Sequence, residues 1–397
     1  MADNKENRIP NVPHLRFPEF CGEWVETTLG KISEITKGSG ISKDQLSEQG
    51  SPCILYGELY TKYKSEIINE VYSRTELEPS SLVKSMANDV IIPCSGETAI
   101  DISTARCVPF DNILLGGDLN IIRLRNDDGG FFAYQLNSTR KKDIARVAQG
   151  VSVVHLYGEN LKQIRVYHPN TEEQKKITRL LSLIDERIAT QNKIIEDLKK
   201  LKSAIIERAY CDRSYHPYRI GDVIEQISER NKDKSIDMVL SVSNKQGFIN
   251  QSEQFEDRII ASEDTSNYKI VHKNDFAYNP ARINVGSIAR LTTIEKGIVS
   301  PMYICFRVRK EVVSEYLEHF FSTSYFFYEM QKRLEGSVRQ CLSFEGICNI
   351  PIYIPSSEEQ HTIGKKISVL LGKIDIETHY HFKLVEQKHY LLRQMFI

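Results

Sequence analysis

Two stretches of the chain carry apolar residues at steps of three and four positions, which is the periodicity of an amphipathic α-helix. The first stretch begins after residue 170 and ends near Tyr210, and the second runs from residue 356 to the C-terminus. A helix of roughly 36 residues is roughly 55 Å long, so long rods are predicted. The apolar positions predicted to form a coiled coil or subunit interface are Leu181, Ile184, Ile188, Ile195, Leu198 and Ile205 in the first stretch and Leu371, Ile374, Val385, Leu392 and Met395 in the second.

The segments that precede these helices carry short β-branched runs bounded by turn residues, which predicts strands. Such runs include Asp89–Pro93, Leu119–Leu124 and Met302–Val308. The fold class predicted is therefore α+β, with two strand-rich domains in tandem, each followed by a long helix. The predicted parts are an N-terminal segment 1–21, a first domain 22–169, a first helix 170–210, a second domain 211–355 and a second helix 356–397.

Residues 150–174 and 336–360 are two copies of one segment, and they align without a gap at an offset of 186 residues. Gly150 matches Gly336, and the Glu-Glu-Gln run near the end of the first copy recurs in the second. Outside this segment and a few other short matching stretches, the sequences of the two halves differ almost completely. A shared framework with dissimilar loops predicts internal pseudo-symmetry and a ligand with two different parts.

Each helix is predicted to begin at a capping-box pattern, formed by Thr171 with Gln174 in the first copy and by Ser357 with Gln360 in the second. Further along, the run ISVLLGKID of the second helix matches ITRLLSLID of the first at an offset of 190 residues. This larger offset indicates an insert of about one helical turn near the start of the second helix.

Two such helices in one chain are expected to pair with each other as an antiparallel coiled coil, and a coiled coil between two copies of the chain is the alternative. The apolar seam is interrupted by Gln191, Thr378, His381 and Lys388. Polar groups at such positions either set the register of the helices or face other subunits.

The composition is that of an ordinary globular protein, with 41% hydrophobic and 26% charged residues among 397. The net charge of −1 argues against non-specific coating of DNA, but not against a reader with local basic loops. The eight cysteines form no CxxC pair, so neither a disulfide framework nor a zinc ribbon is predicted. With neither a signal-peptide pattern nor a run long enough for a membrane span, we expect a cytoplasmic protein without a membrane partner.

The motifs of common catalytic sites are missing, since GxxxxGK[ST], HExxH and GxSxG do not occur. The run NPAR at residues 279–282 resembles the Asn-Pro-Pro-aromatic loop of amino-methyltransferases, but alanine and arginine stand where that loop holds a flipped base. The triplet EQK at residues 173–175 has the spacing of a metal-dependent nuclease, yet His361 replaces its lysine in the second copy. We therefore predict no catalytic residue and no metal ligand in this chain.

Polar and basic loop residues form the remaining candidate site, because arginine suits guanine, asparagine and glutamine suit adenine, and serine, threonine and lysine suit phosphates or base edges. For any single residue, an ordinary solvated loop explains the sequence equally well, and the clusters in both halves are what favours DNA binding. The predicted DNA-binding residues are Lys37, Ser39, Ser42, Lys43, Ser95, Thr98, Ser152 and His155 in the first half and Ser243, Asn244, Lys245, Asn279, Arg282, Asn284, Arg339 and Gln340 in the second.

Residues 12–24 read VPHLRFPEFCGEW and resemble the opening of many specificity (S) subunits of bacterial type I restriction-modification systems. The Leu29-Gly30 start of the first domain, the Pro-x-x-Glu-Glu-Gln helix entry that occurs twice, and the tandem long helices are similar to the same family. The resemblance covers nearly the whole chain, and it rests on the order and duplication of these motifs.

The resemblance implies two target-recognition domains, each reading one half of a bipartite sequence in double-stranded DNA. It implies helices that set the spacing of the half-sites and dock methyltransferase (M) subunits. Two M subunits and two restriction (R) subunits are then expected as partners of a recognition subunit that is not itself an enzyme. S-adenosylmethionine, ATP and Mg²⁺ are expected on those partners, with no cofactor in this chain.

Two other functions are left open by the sequence. An adenine methyltransferase with a catalytic site of its own would bind S-adenosylmethionine as an isolated protein. A coiled-coil adaptor with carbohydrate- or peptide-binding domains would show no sequence-dependent affinity for DNA.

Overall fold

The computed structural model describes residues 10–210, 212, 214–244, 246–251, 264–309, 312–337 and 340–397. The chain divides into two compact units, and each of the two long helices contributes to both. Unit 1 consists of Met1–Lys193 with His379–Ile397, and unit 2 consists of Ile194–Thr378. Within the described ranges, no helix combines the length and apolar character that a membrane span requires.

Unit 1 is rich in short strands. They are β1 Val25–Thr28, β2 Ser33–Lys37, β3 Leu46–Ser47, β4 Ser51–Ile54, β5 Ser73–Thr75, β6 Asp89–Pro93, β7 Ser95–Gly96, β8 Arg106–Val108, β9 Leu114–Leu115, β10 Leu119–Leu124, β11 Val154–His155 and β12 Arg165–His168.

Two four-stranded sheets form the frame of unit 1. The first has the order β2-β10-β6-β8, and all its neighbouring strands are antiparallel. The second has the order β3-β5-β4-β9 and ends in a parallel pair. Strands β6 and β10 lie at the centre of the first sheet, and their predicted bounds are confirmed. β1 pairs with β12, which brings the start of the domain to its end.

Helices cover the first sheet of unit 1. The core joins Trp24 and Tyr134 to Leu181 of the first long helix and Leu392 of the second, so both long helices are part of this domain's interior. The helices are α1 Leu29–Ile32, α2 Glu58–Thr61, α3 Ala99–Ile102, α4 Gly129–Asn137, α5 Lys141–Val147, α6 Gly158–Lys162 and α7 Thr171–Tyr210.

Unit 2 repeats this plan with a core of its own. The strands are β13 His216–Arg219, β14 Ile224–Ile227, β15 Val239–Ser243, β16 Gly247–Asn250, β17 Lys269–His272, β18 Phe276–Tyr278, β19 Ile288–Arg290, β20 Lys296–Val299, β21 Ile304–Val308 and β22 Pro351–Ile354. The helices are α8 Ile220–Val223, α9 Ser314–Phe320, α10 Ser324–Gln331, α11 Phe344–Cys348 and α12 Ser357–Gln394.

The first sheet of unit 2 has the order β14-β21-β18-β19, the second has the order β16-β15-β20-β17, and β13 pairs with β22. The third strand predicted from the sequence begins at Ile304 rather than at Met302, because residues 301–303 form a turn. The core contains Ile206 of α7 and Ile367 of α12, so this unit also packs on both long helices.

The helices α7 and α12 run antiparallel in unit 1. Lys388 Nζ lies 2.6 Å from Asp185 Oδ1, and Arg187 contacts Tyr380. Because the partner's residue number falls as the number along α7 rises, the two helices run in opposite directions. The predicted fold class, two strand-rich domains in tandem with paired long helices, is confirmed.

The capping residues of both long helices lie one position before the predicted ones. Asn170 Oδ1 accepts a hydrogen bond from Glu173 N at 2.9 Å. In the second copy, Ser356 Oγ accepts from Glu359 N at 3.4 Å, and Glu359 Oε2 accepts from Ser356 N at 3.2 Å, which is a capping box. The prediction of Thr171 and Ser357 as caps was wrong, since both lie in the first helical turn.

The glutamines predicted to complete those caps instead tie each helix to its domain. Gln174 Oε1 accepts from Asp128 N at 2.8 Å, just before α4. Gln360 Oε1 accepts from Val313 N at 2.8 Å, just before α9. Both side chains are buried, so the repeated glutamine has a structural role and connects each long helix to its domain.

The contacts of the two helix starts correspond at the offset of 186, not 190. Leu181 and Ile367 are both fully buried in the equivalent cores. A methyl of Thr178 approaches Gly130, and Gly364 approaches Glu315 in the same way. The sequence match at an offset of 190 is therefore an alignment shifted by about one helical turn along the repeating apolar pattern. No insert in the second helix is needed to explain it.

On α12, Leu384 is buried and Leu370 is half-buried, while Leu371 is 37% exposed. The other predicted seam residues divide into buried and half-buried positions. Leu181, Ile184, Ile195, Ile374, Leu392 and Met395 are buried, and Ile188, Leu198, Ile205 and Val385 are half-buried.

Candidate nucleic-acid interface

One backbone hydrogen bond beside the predicted loop residues occurs at corresponding positions in both units. Leu156 N donates to Cys94 O at 2.7 Å in unit 1, and Leu342 N donates to Pro280 O at 3.0 Å in unit 2. Both donors and both acceptors correspond at the offset of 186. The pseudo-symmetry therefore extends to the loops, although their side chains differ.

A short closed loop precedes each of these donors. We call residues 149–155 finger 1 and residues 335–341 finger 2. Gln149 and His155 exchange two backbone hydrogen bonds, of 2.9 and 2.7 Å, and Glu335 and Cys341 do the same, at 2.9 and 2.8 Å. Each finger therefore has a fixed base, and residues 150–153 at the tip of finger 1 are exposed.

In unit 1, the end of β2 and the base of finger 1 lie on either side of the turn that contains Asp118. Lys37 faces Asn120 across β2 and β10, and Ser95 Oγ donates to Asp118 Oδ2 at 3.2 Å. His155 lies opposite Ser95 in the β7–β11 pair. The exposed side chains Lys37 and His155 thus belong to one continuous edge of the unit.

A cavity of about 1060 Å³ opens beside this edge. It is lined by Ser42, Lys43, Glu97 and Asp118, with Tyr56 among its aromatic residues. Lysine donors and carboxylate acceptors on one surface suit the edges of guanine and cytosine, respectively.

Some predicted residues of unit 1 have structural roles. Ser39 Oγ accepts a hydrogen bond from Val83 N at 2.8 Å. Thr98 Oγ1 accepts from Asp101 N at 3.1 Å and caps α3. Ser152 at the tip of finger 1 is exposed. DNA contact by these residues stays a prediction.

The charges around this edge also act on a buried thiol. Burial raises the pKa of Cys94 to about 11, nearby Lys37 works against that shift, and Asp118 adds to it. The thiol is therefore protonated at neutral pH, so Cys94 is a packing residue here and not a nucleophile.

In unit 2, four predicted residues line a single cavity of about 530 Å³. They are Asn279, Arg282, Asn284 and Gln340. Asn244 lies near Gly286, two residues after Asn284, because its Cβ is 3.8 Å from the position that a Cβ on Gly286 would take. Ser243 ends β15 one residue earlier. Lys245 and Arg339, also predicted, lie outside the described residues.

Asn279 is the most buried member of this group, with 8% of its surface exposed. Its Oδ1 accepts from Ala281 N at 3.0 Å, which fixes the NPAR loop as an Asx turn. In contrast, Arg282, Asn284 and Gln340 are exposed, and no hydrogen bond of their side chains is found among the described residues. Three exposed polar side chains, two at or just after the end of the NPAR loop and one from finger 2, therefore line this cavity.

The EQK triplet lies in the first turn of α7, where its glutamate forms an ion pair. Arg16 Nε and Nη2 each donate to a carboxylate oxygen of Glu173 at 2.7 Å, and the Glu173 side chain is fully buried. Lys175 is exposed. Because Glu173 is engaged by Arg16, the triplet anchors the N-terminal segment.

The residues that line the two cavities without having been predicted include Asp118, Met302 and Ser337. Asp118 lies in a Gly-Gly-Asp turn between two buried strands. Its acidic side chain in a turn close to the predicted DNA-binding residues is the sequence feature that could have identified it. Met302 is 58% exposed and Ser337 is exposed beside the cavity of unit 2. Neither had a sequence signal, since only the fold brings them to Arg282.

Residues 22–200 and 213–384 match the family of the type I restriction modification DNA specificity domain. The chain therefore belongs to this family and carries two of its domains. The specificity-subunit interpretation of the sequence is confirmed.

Two curated relatives come from Methanocaldococcus jannaschii. The chain is 22% identical over 268 residues to a putative type I restriction enzyme MjaX specificity subunit, and the alignment covers 62% of each protein, less than two thirds of that relative's length. It is 21% identical over 410 residues to the type I restriction enzyme MjaVIII specificity subunit, covering 94% of this chain and 91% of the relative.

Solved structures show the same fold. The type I S subunit from M. genitalium superposes with a TM-score of 0.62 at 17% identity, covering 97% of this chain and 99% of that chain. A chain from a study of complex assembly and conformational transition of the type I R-M system has a TM-score of 0.55 at 13% identity, covering 93% and 96%.

Proposed function

We propose that this chain is the DNA-reading subunit of a type I restriction-modification complex and that each unit reads one half of a bipartite sequence. The supporting observation is the pair of corresponding loop frames that carry different side chains. Unit 1 presents lysines with carboxylates, and unit 2 presents Arg282 with Asn284 and Gln340. Two different readers on one framework suit an asymmetric target.

The proposal assigns the spacing of the half-sites to the long helices. A half-site of a few base pairs discriminates weakly, at roughly 1–3 kcal/mol per base pair. Linking two readers through a stiff element multiplies their selectivity. A helix of 40 residues, such as α7, is about 60 Å long, which exceeds the roughly 34 Å of one DNA turn.

The proposal also assigns the chemistry to other subunits. Two M subunits dock on the long helices and carry S-adenosylmethionine, and two R subunits carry ATP and Mg²⁺. Within this chain, the NPAR loop that resembles a methyltransferase motif has its asparagine oxygen engaged with Ala281 N. That arrangement supports a recognition role for the loop.

Coexpression of the chain with a methyltransferase subunit tests this function, followed by purification of the complex and genome-wide mapping of methylated adenine. We expect a stable complex and one methylated motif split by a spacer of fixed length. A continuous motif would contradict the proposal, as would S-adenosylmethionine binding by the isolated chain in calorimetry.

A further inference from the structure

The tip of finger 1 exposes two valines. Val151 is 96% exposed and Val153 is 53% exposed, and Ser152 lies between them. Single exposed apolar residues are ordinary on protein surfaces. Here two of them share a tip of a few residues beside His155, on the edge that carries the other candidate DNA contacts.

The shape of this tip is set by the backbone. Gly150 has φ +117°, and any side chain there would collide with the carbonyl oxygen of Val153. The two hydrogen bonds between Gln149 and His155 close the loop. These constraints do not involve the valine side chains, and Val151 is almost fully exposed. Packing among the described residues therefore does not require an apolar residue at position 151.

Finger 2 has the same frame and a different tip. Gly336 has φ +101°, and the bases of the two fingers correspond in their hydrogen bonds. Its described tip residues, Ser337 and Gln340, are polar, and both line the cavity that contains Arg282. At the position that corresponds to Val151, finger 2 therefore carries the polar residue Ser337 after the same positive-φ glycine.

We propose that Val151 reads the 5-methyl group of a thymine in the half-site bound by unit 1, an inference that rests on the proposed function. A valine side chain has no hydrogen-bonding group, so it gains nothing from phosphates or polar base edges. The thymine methyl is the apolar feature that the major groove displays. Insertion of the tip between base steps is the competing mode, but apolar wedges of that kind are typically larger side chains.

The test uses the complete complex with its methyltransferase subunits and synthetic duplexes that carry the mapped motif. Each thymine, on either strand, is replaced in turn by deoxyuridine, which lacks only the 5-methyl group. We expect the wild-type methylation rate at limiting DNA to fall roughly three- to tenfold at one thymine of one half-site, as one methyl contact is lost. Val151→Ala should show a similar loss on the thymine duplex and no further loss with deoxyuridine.

Val25→Ala is the matched control, because Val25 is also an exposed valine of unit 1, at 58%, and lies on β1, which pairs with β12. It should keep the wild-type preference for thymine. The inference is overturned if no single deoxyuridine affects the wild-type complex, or if Val151→Ala keeps the full preference. A uniform loss on all duplexes would indicate a wedge or backbone contact and would also overturn it. Failure of the proposed function would differ, since no split motif would depend on this chain.

Discussion

A buried ion triad in unit 1 provides a prediction about the pairing of the long helices. Lys388 Nζ lies 2.6 Å from Glu66 Oε2 and 2.6 Å from Asp185 Oδ1. The three side chains are only 11%, 10% and 7% exposed, respectively, and Tyr134 donates a further hydrogen bond to Asp185 at 2.7 Å. In the sequence, Lys388 interrupts the apolar pattern of the second long helix, and the structure shows that it pairs with these two carboxylates.

Lys388→Met removes the cation and leaves both carboxylates buried. Removal of one partner from a buried ion network costs about 3–5 kcal/mol, because an uncompensated charge stays behind. For a unit of this size we expect a fall in melting temperature of about 10 °C. Replacing all three residues, with Glu66→Gln and Asp185→Asn added, should recover most of the loss.

The pH dependence distinguishes this cause from simple loss of packing. In the wild type, burial acts to raise the pKa of Glu66, but Lys388, together with nearby Arg106, lowers that pKa overall. Burial raises the pKa of Asp185 despite Lys388. Without the lysine, burial is the largest effect on both carboxyls, while Arg106 still favours the ionised form of Glu66. We therefore expect both folded pKa values to lie above the unfolded values, so that the folded variant takes up protons as pH falls. The deficit relative to wild type should therefore shrink from pH 8 to pH 5.

Urea unfolding followed by circular dichroism measures both effects. Lys383→Met is the control, because Lys383 lies on the same helix in an exposed pair with Glu386, and such pairs contribute about 0–1 kcal/mol. The reasoning is refuted if Lys388→Met costs no more than this control at pH 8, or if its deficit is constant or grows as pH falls to 5.

Three further predictions concern other parts of the fold. Burial lowers the pKa of His319 to about 4. Because this folded pKa is below the unfolded value, the stability of the wild type should fall as pH drops from 7 to 5, by about 2 kcal/mol more than that of His319→Leu. Urea unfolding at the two pH values measures this difference. Gln360→Ala leaves Val313 N without its acceptor and should cost about 1–3 kcal/mol in thermal unfolding, whereas exposed Glu358→Ala should not. Gly150→Ala should slow methylation of cognate DNA through distortion of finger 1 while leaving the melting temperature nearly unchanged.

The elements with local sequence signals were predictable. The strands Asp89–Pro93 and Leu119–Leu124 have the predicted bounds, because β-branched runs between turns report directly on a buried strand. The helix starts were located to within one residue, and the cap itself was missed because Asn170 and Ser356 precede residues that also have capping chemistry.

Contacts between residues distant in sequence were not predictable in this way. Glu66 and Lys388 are 322 positions apart, and no periodic pattern links them. The offset of 190 was misleading for a related reason, since an apolar stripe repeats itself after each turn and only contacts such as that of Ile367 select the register. At the candidate site, the residue types could be predicted from the sequence, whereas the fold brings Asn279, Arg282 and Gln340 to one cavity.

Methylation mapping with a variant of each unit tests the central claim most directly. Complexes that carry Lys37→Ala, in unit 1, or Arg282→Ala, in unit 2, are compared with wild type for the bases they require around each methylated adenine. Two independent readers predict that each variant relaxes one half of the split motif, a different half in each case, and leaves the spacer unchanged. Relaxation of the same half by both variants, or of both halves by either one, would contradict the account.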